Sequence, residues 1–280
     1  MSDRINLNEL VTDRIIKELE KGSIPWHKPW TGVRDGAYSR STGKPYSWIN
    51  QMMLKHTGEY MTFLECKRAG GNVKKGEKSE MVVFYKPYEI NEQQPDGNFE
   101  KKTVPLLRYI NVFHISQCEG IEPLEQPPAN DIENILKADE IVSTYLINGP
   151  QLEHTASNRA CYTPSLDKVK MPLKEQFVST GEYYSTLFHE LIHSTGHPSR
   201  LNRITAPASF GSEEYSKEEL VAEIGAAQLM LMSDAETEST FKNSVAYVQS
   251  WVKALRDDKN MIISASSRAE KAVGLMLGLN

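Results

Sequence analysis

Residues 183–196 read YYSTLFHELIHSTG and contain the pattern His189-Glu190-Leu191-Ile192-His193. Positions four apart stack on one face of an α-helix, so both imidazoles of this pattern point toward the same spot. Two neutral imidazoles at that spacing suit a tetrahedral Zn²⁺ ion, and Glu190 between them is close enough to accept a proton from the attacking water. The stretch therefore predicts a metal-dependent hydrolase site with His189 and His193 as ligands and Glu190 as the general base.

The residues on either side of this pattern predict where its helix begins and ends. Ser179 followed three residues later by Glu182 is typical of a helix N-terminus, and Gly196 with Pro198 just beyond it is typical of a C-terminus. In the longer pattern HExxHxxGxxH, a third histidine would stand where this chain has Ser199, so the third ligand must come from elsewhere.

The next helix, which includes SKEELVAEIGAA at residues 216–227, offers that third ligand. Glu219 and Glu223 are four apart and share a face, and one carboxylate would complete a His₂Glu site with a position left for water. The spacing leaves both open, because Ser216 with Glu219 also fits a capping box, which would free Glu223 to bind the metal. The order is similar to that of thermolysin-like (gluzincin) proteins, and this resemblance implies that Glu219 is the ligand and that Glu223 orients a ligand histidine from outside. Ligand type favours Zn²⁺, with Mn²⁺ and Co²⁺ as alternatives for the same cage.

The bulk composition indicates a globular protein without a membrane span. Of the 280 residues, 39% are hydrophobic and 25% are charged. The chain has no apolar run of the roughly 18 residues that a span needs, and its N-terminus lacks the apolar core of a signal peptide. Its three cysteines form no CxxC pair, which implies neither a disulfide framework nor a thiolate zinc site. We expect a cytoplasmic protein with no membrane partner.

Charge is distributed unevenly along the chain. Residues 1–120 carry 18 Lys and Arg against 15 Asp and Glu, a net charge of +3, and the remainder of the chain has a net charge of −8. Such asymmetry indicates two domains with different partners. The acidic, proline-rich stretch GIEPLEQPPAN is typical of a linker. We expect an N-terminal domain at 1–122, a linker at 123–130 and a C-terminal domain at 131–280.

The first half interleaves basic residues with aromatic ones. Between Arg34 and Lys86 there are 10 basic and 5 acidic residues, and a basic turn at 74–78 leads into a strand-like segment at 81–85. A turn-rich segment then predicts an antiparallel partner strand at 104–115, so this half is expected to be α+β. Cations neutralise phosphates and rings stack on unpaired bases, which favours binding of single-stranded DNA, although an ordinary solvated face would look similar. The residues expected to contact DNA are Lys44, Tyr46, Trp48, Lys74, Lys75 and Lys78.

The second half has further candidates around the proposed site. Short extended segments are predicted near Leu152, at 161–163 and at 169–171, and two packing helices at 241–256 and 267–277. Ser267 with Glu270 would cap the last helix. The candidates for stabilising an oxyanion are Tyr162, His197 and Arg200, and His197 is otherwise interpreted as a structural residue or an outer support of the site.

Several longer segments resemble a known family. TGKPYSWIN, GEYMTFLECKRAGGNVKKGEKSEMVVFYK and LRYINVFHISQCEG resemble the N-terminal domain of plasmid antirestriction proteins of the ArdC type, a domain that also occurs in conjugative primase-like proteins. HELIHSTGHPSRLNR and YSKEELVAEIGAA resemble the zincin domain that accompanies it. The resemblance implies an α+β fold with two domains, one that binds single-stranded DNA and one that is metallopeptidase-like.

The same resemblance implies a role in protecting incoming plasmid DNA from host restriction. A host restriction enzyme or another protein would then be the peptide substrate. A zincin places an edge strand beside its metal helix, where an extended peptide can pair with it. Two rival interpretations stay open: a DNA-binding shield with a structural or vestigial metal site, and a metallopeptidase without a nucleic-acid partner.

Overall fold

The computed structural model of the chain describes residues 6–21, 24–27, 36–93, 99–124, 134–157, 159–177, 179–204, 213–233, 235 and 248–279. Most of the linker predicted at 123–130 lies outside these residues. Within them, no helix combines the length and the apolar character that crossing a bilayer requires.

The first half of the chain is built around a mixed four-stranded sheet. Its helices are α1 (Leu7–Glu20), α2 (Trp48–Met53) and α3 (Phe63–Arg68), and its strands are β1 (Ala37–Ser39), β2 (Gly58–Met61), β3 (Asn72–Val73), β4 (Glu80–Gln93), β5 (Phe99–His114) and β6 (Cys118–Glu119). The sheet order is β1-β2-β5-β4, with β1 and β2 parallel and the other pairs antiparallel, while β3 and β6 form a separate pair.

Strands β4 and β5 form a long antiparallel hairpin. Their register runs without interruption from the pair Glu80–Val112 to the pair Gln93–Phe99. The sequence predicted this pairing, but only as shorter strands at 81–85 and 104–115. Exposed β-branched and aromatic residues continue the strand pattern well beyond the part of the hairpin that the core covers.

The second half packs helices over a three-stranded sheet. The helices are α4 (Asn134–Leu146), α5 (Thr180–Thr195), α6 (Glu213–Met232), α7 (Val248–Asp257) and α8 (Met261–Met276), and the strands are β7 (Gln151–Thr155), β8 (Cys161–Thr163) and β9 (Lys168–Pro172). The sheet order is β7-β9-β8, so β8 is an edge strand. The three extended segments predicted here are confirmed, and so is the α+β fold class.

One expectation about the last helix is wrong. Helix α8 begins at Met261, so Ser267 lies inside it and cannot be its N-cap. Glu270 instead accepts a hydrogen bond from the backbone N–H of Trp48, the first residue of α2. A carboxylate at a helix N-terminus satisfies a donor that the helix itself leaves unpaired.

The largest hydrophobic core contains residues from both halves of the chain. Ile15 of α1 and Met52 of α2 belong to the same cluster as Leu191 of α5 and Val273 of α8. Trp26 meets Trp251 of α7 edge to face, with ring centroids 5.1 Å apart. The domain boundaries at 1–122 and 131–280 remain a proposal, and the core shows that helices assigned to the first domain bury their apolar faces against the second.

Helices α5 and α6 approach each other closely at Gly225. A Cβ at this position would lie 2.8 Å from Cδ1 of Ile192, closer than real Cβ contacts. Ile192 is fully buried. Glycine therefore sets the separation between the helix that carries the two histidines and the helix that carries Glu219.

Candidate metal centre

Helix α5 presents the two histidines of the HELIH pattern on one side. The helix runs from Thr180 to Thr195, and the side chain of its N-cap Ser179 accepts a hydrogen bond from the N–H of Glu182 at 3.1 Å. Leu187 and Leu191 are buried on the core side. The helix predicted from the sequence is confirmed, including its N-cap.

Three side chains from α5 and α6 converge. The Nε2 atoms of His189 and His193 lie 3.1 Å apart. One oxygen of Glu219 is 3.6 Å from Nε2 of His189, and the other is 3.5 Å from Nε2 of His193. Among the residues described, these three form a group whose potential ligand atoms all lie within 4.8 Å of one another.

The size of this triangle matches the ligand spacing around a divalent ion. Ligands about 2.0–2.1 Å from a tetrahedral ion are roughly 3.4 Å from each other. Adjacent ligands of an octahedral ion at a similar radius are roughly 3 Å apart. The observed edges of 3.1 to 3.6 Å span both values. The donor set, two imidazoles and one carboxylate, fits a divalent metal with room for solvent, and the spacing alone does not select zinc.

Each histidine also has a second carboxylate behind it. Oε1 of Glu223 lies 3.7 Å from Nδ1 of His189, and Oε1 of Glu218 lies 3.5 Å from Nδ1 of His193. Helix α6 already includes Glu213, so Ser216 lies within it and the capping-box alternative for Glu219 is wrong. Glu219 therefore does not cap the helix with Ser216, and its carboxylate is available to a metal.

Arg203 supports Glu218 and was missed by sequence reasoning. Its guanidinium donates to both oxygens of Glu218, at 3.2 Å from Nε and 2.8 Å from Nη2. It also donates to the carbonyl of Ile192 at 2.9 Å and to the hydroxyl of Thr195 at 2.8 Å. Only 7% of the Arg203 side chain is exposed. Arg203 thus ties the last turn of α5 to the first turns of α6, next to His193.

The carboxylates change the acid–base properties of the cluster. Burial alone would lower the pKa of His193, but hydrogen bonds and charges from Glu218 and Glu219 raise this pKa to about 10. The pKa of His189 is raised by Glu219 and Glu223 against the same effect of burial. Burial would raise the pKa of Glu219, whereas the two imidazoles hold it well below its ordinary value. The site therefore favours positive charge at its centre.

Glu190 points toward strand β8. Its Oε2 accepts a hydrogen bond of 2.7 Å from the backbone N–H of Tyr162. Tyr162 pairs with Val169 of β9 in the antiparallel register, and its N–H is directed away from that partner, to the outer edge of the sheet. The carboxylate of Glu190 is thus held beside the exposed edge of β8.

The three candidates for oxyanion stabilisation are engaged elsewhere. The hydroxyl of Tyr162 donates to Asp167 at 2.9 Å, and the guanidinium of Arg200 binds both oxygens of the same carboxylate. Nδ1 of His197 lies 2.7 Å from the hydroxyl of Ser199 in its own turn. The Arg200–Asp167 pair fixes the turn after α5 against the β8–β9 connection, and none of the three side chains takes part in the histidine cluster.

The residues expected to contact DNA differ in exposure. Lys44, Lys74, Lys75 and Lys78 are exposed, and Nζ of Lys74 donates to the carbonyl of Ser116 at 2.8 Å. Tyr46 is half-buried against Tyr60, with ring centroids 6.3 Å apart.

The prediction for Trp48 as a base-stacking residue is wrong. Its side chain is only 7% exposed and packs in the large core, because α2 lies against α8. Stacking on a base would need an open ring face.

Comparison with known proteins places this geometry in a family. Residues 5–113 match the model for the N-terminal domain of the anti-restriction factor ArdC, and residues 137–268 match a zincin-like metallopeptidase model. Two crystal structures of the antirestriction protein ArdC from plasmid R388 superpose with TM-scores of 0.76 (metal-free) and 0.77 (Mn(II)-bound). Each shares 33% identity with this chain and covers 98% of both chains. The chain belongs to the ArdC family of antirestriction proteins.

Relatives of this ArdC-family chain include longer proteins. Two DNA primases named TraC from Escherichia coli are 35% and 36% identical over 97% and 96% of the chain. The chain spans only 20% and 27% of the length of these primases. An uncharacterised protein of Sinorhizobium fredii, y4eC, is 29% identical over 97% of this chain and 91% of its own length.

The contacts of Glu218 predict a stability effect. Glu218→Ala should lower the free energy of unfolding by about 3 kcal/mol, because it leaves the guanidinium of Arg203 buried without a carboxylate. Urea unfolding of the metal-free protein measures this loss. Glu214→Ala, at an exposed position of the same helix, should change stability by less than about 0.5 kcal/mol. Equal losses in the two variants would contradict this role of Glu218.

Proposed function

We propose that this protein protects incoming plasmid DNA from host restriction, binds single-stranded DNA through its first half, and carries a divalent-metal hydrolase site in its second half. The observation that carries the proposal is the match to ArdC over 98% of both chains, with HELIH and Glu219 brought together. Zn²⁺ remains the favoured ion from ligand type, and the Mn(II)-bound ArdC structure keeps Mn²⁺ beside it.

In this proposal His189, His193 and Glu219 hold the ion, and Glu223 and Glu218 orient the two imidazoles through their Nδ1 atoms. Outer carboxylates of this kind fix the tautomer and orientation of a ligand histidine. When bound, the ion supplies Lewis-acid activation of water and of a peptide carbonyl. The bound cation would also offset the negative charge of the three carboxylates beside the two histidines. Without a cation, that charge is costly to gather in a half-buried site.

The remaining chemistry belongs to Glu190 and strand β8. Glu190 accepts a proton from the attacking water and passes it to the leaving amine. The N–H and C=O of one residue in an antiparallel strand point the same way. The C=O of Tyr162 therefore faces the outer edge of β8, on the side where its N–H donates to Glu190. An extended peptide can pair with that edge and place its carbonyl beside Glu190. A host restriction enzyme or another protein is the proposed substrate class.

Metal analysis distinguishes the ligand from its support. Glu219→Ala should abolish stoichiometric binding of Zn²⁺ and Mn²⁺, because it removes a ligand. Glu223→Ala should lower affinity by about 10–100-fold, the effect expected when an outer partner is lost. Competition with a chromophoric chelator measures both, without any activity assay. The reverse order of the two losses would make Glu223 the ligand.

A variant of the general base tests whether hydrolysis is needed. Glu190→Ala should keep the metal and the fold, since Glu190 lies outside the histidine triangle, and should lose protection of unmethylated plasmid DNA entering a restricting host. The assay counts transconjugants with the parent and the variant expressed at equal levels. Undiminished protection would instead favour the DNA-binding shield with a structural or vestigial metal site.

The basic turn at 74–78 is the proposed DNA contact of the first half. Three exposed lysines and one exposed glutamate, Glu77, give the turn a net charge of +2, and Lys44 adds to the positive charge of this half. Positive charge of this kind binds phosphates without regard to base sequence. Tyr46 stays in the proposed set as a half-buried ring, and Trp48 is removed from it.

Replacing the turn cations should weaken DNA binding evenly. In the full-length protein, Lys74→Gln, Lys75→Gln and Lys78→Gln together should lower affinity for single strands of any sequence and reduce the salt slope by about 2, since each phosphate contact contributes about 0.7. Fluorescence anisotropy at several salt concentrations measures both quantities.

The control removes the same number of charges from the second half. Lys253, Arg268 and Lys271 are exposed on α7 and α8. Their replacement by Gln should leave the salt slope unchanged. An equal drop in slope for both triple variants would show that net charge, and not the basic turn, governs binding.

A further inference from the structure

The β4–β5 hairpin exposes an apolar and basic face that the basic turn does not include. We call it the outer hairpin face and define it by Phe84, Lys86, Tyr88, Leu106, Arg108 and Ile110. Its large hydrophobic side chains are between 36% and 53% exposed. A cluster of exposed rings and aliphatic groups on one surface marks a site of interaction.

The strand register places these residues on one side of the hairpin. Phe84 pairs with Arg108, Lys86 with Leu106, and Tyr88 with Val104. Side chains of directly opposite residues, and of every second residue along a strand, lie on the same face. Val82 and Ile110, the next pair toward the sheet, continue the row, and Val82 is buried with Tyr60 in the core under the sheet. The outer hairpin face is therefore the extension of a core-facing surface into solvent.

The two faces of the hairpin differ in charge. Of the six residues that define the outer hairpin face, Lys86 and Arg108 are basic and none is acidic. The opposite face carries Lys101, whose ammonium pairs with Glu89 at 3.8 Å. A positive surface with aromatic rings fits a polyanion that also has flat apolar groups, whereas a second copy of the chain would bring the same positive charges together.

We infer that the outer hairpin face is a stacking surface for single-stranded DNA, with Phe84 and Tyr88 contacting bases and Lys86 and Arg108 contacting phosphates. The inference deepens the proposed function and rests on its DNA-binding part. Phe84 and Tyr88 are four residues apart on one strand, which places their rings about 13 Å from each other, with Lys86 between them. Alternation of ring, cation and ring along a strand is what a flexible strand of bases and phosphates requires.

The base of the hairpin is held firmly, which suits a binding surface. The side chain of Asn50 in α2 donates to the carbonyl of Val83 at 2.8 Å and accepts from its N–H at 2.7 Å. Asn50 is buried, and its helix packs against α8. The rings of the outer hairpin face are therefore presented from a fixed strand, which limits the conformational entropy lost on binding.

The test uses the full-length protein and a labelled oligothymidylate of about 16 nucleotides, the upper end of known site sizes. Phe84→Ala with Tyr88→Ala should weaken binding at least about thirtyfold, as expected from the loss of two stacked bases. Lys86→Gln with Arg108→Gln should reduce the salt slope by about 1.4. All four positions are exposed, and circular dichroism with a thermal melt verifies that the variants fold.

Matched controls come from the opposite face of the same hairpin. Tyr85 and Tyr109 are 53% and 44% exposed, close to the values of Tyr88 and Phe84. Tyr85→Ala with Tyr109→Ala should leave affinity near that of the parent. Lys101→Gln, beside Glu89 on the opposite face, should leave the salt slope near that of the parent.

The outcomes separate the inference from the function on which it rests. If the parent protein does not bind the oligonucleotide in a salt-sensitive way, the proposed DNA-binding function fails and the inference falls with it. If the parent binds and the outer-face variants bind equally well, the inference alone is overturned. Loss of a dimer in sedimentation, with DNA affinity unchanged in the outer-face variants, would also overturn it and identify the surface as a contact between copies.

Discussion

The close contact between helices α5 and α6 is the constraint on which the metal centre depends. At Gly225 the two helices come so near that a single methyl group would meet Ile192. Glu219 is six residues earlier on the same helix, about 9 Å along its axis, so the helix separation at Gly225 also determines how far its carboxylate lies from the histidines. A site with ligand spacing of 3.1 to 3.6 Å tolerates little change in that separation.

Arg203 stabilises the contact between α5 and α6 on the side of His193. Three carboxylates, Glu218, Glu219 and Glu223, surround two imidazoles, and one buried guanidinium balances one of them. The remaining negative charge is what raises the pKa of both histidines in the absence of an ion. A divalent cation would supply positive charge at the same place, so the carboxylates around the two imidazoles favour its binding electrostatically.

The parts of this structure that could be predicted from the sequence are those decided by neighbours along the chain. The N-cap at Ser179 and the short strands of the second half depend on local spacing, and the structure has them. The role of Ser216 could not be decided in this way, because it depended on where α6 begins. Arg203 stands close after the HELIH pattern in the sequence, but only the packing of α6 shows that it meets Glu218.

The prediction that Trp48 contacts DNA also failed because packing between distant segments decides its position. That position lies between the β4–β5 hairpin and the helices of the candidate metal centre. Composition placed it among basic and aromatic residues, while the fold buries it where α2 meets α8 and gives its N–H to Glu270. Two residues further along α2, Asn50 holds the backbone of Val83 at the base of the hairpin. Helix α8 in turn packs against α5 and α6. The hairpin and helices α5 and α6 are thus joined through one short helix and a shared core, so the outer hairpin face is held at a fixed position relative to the edge of β8.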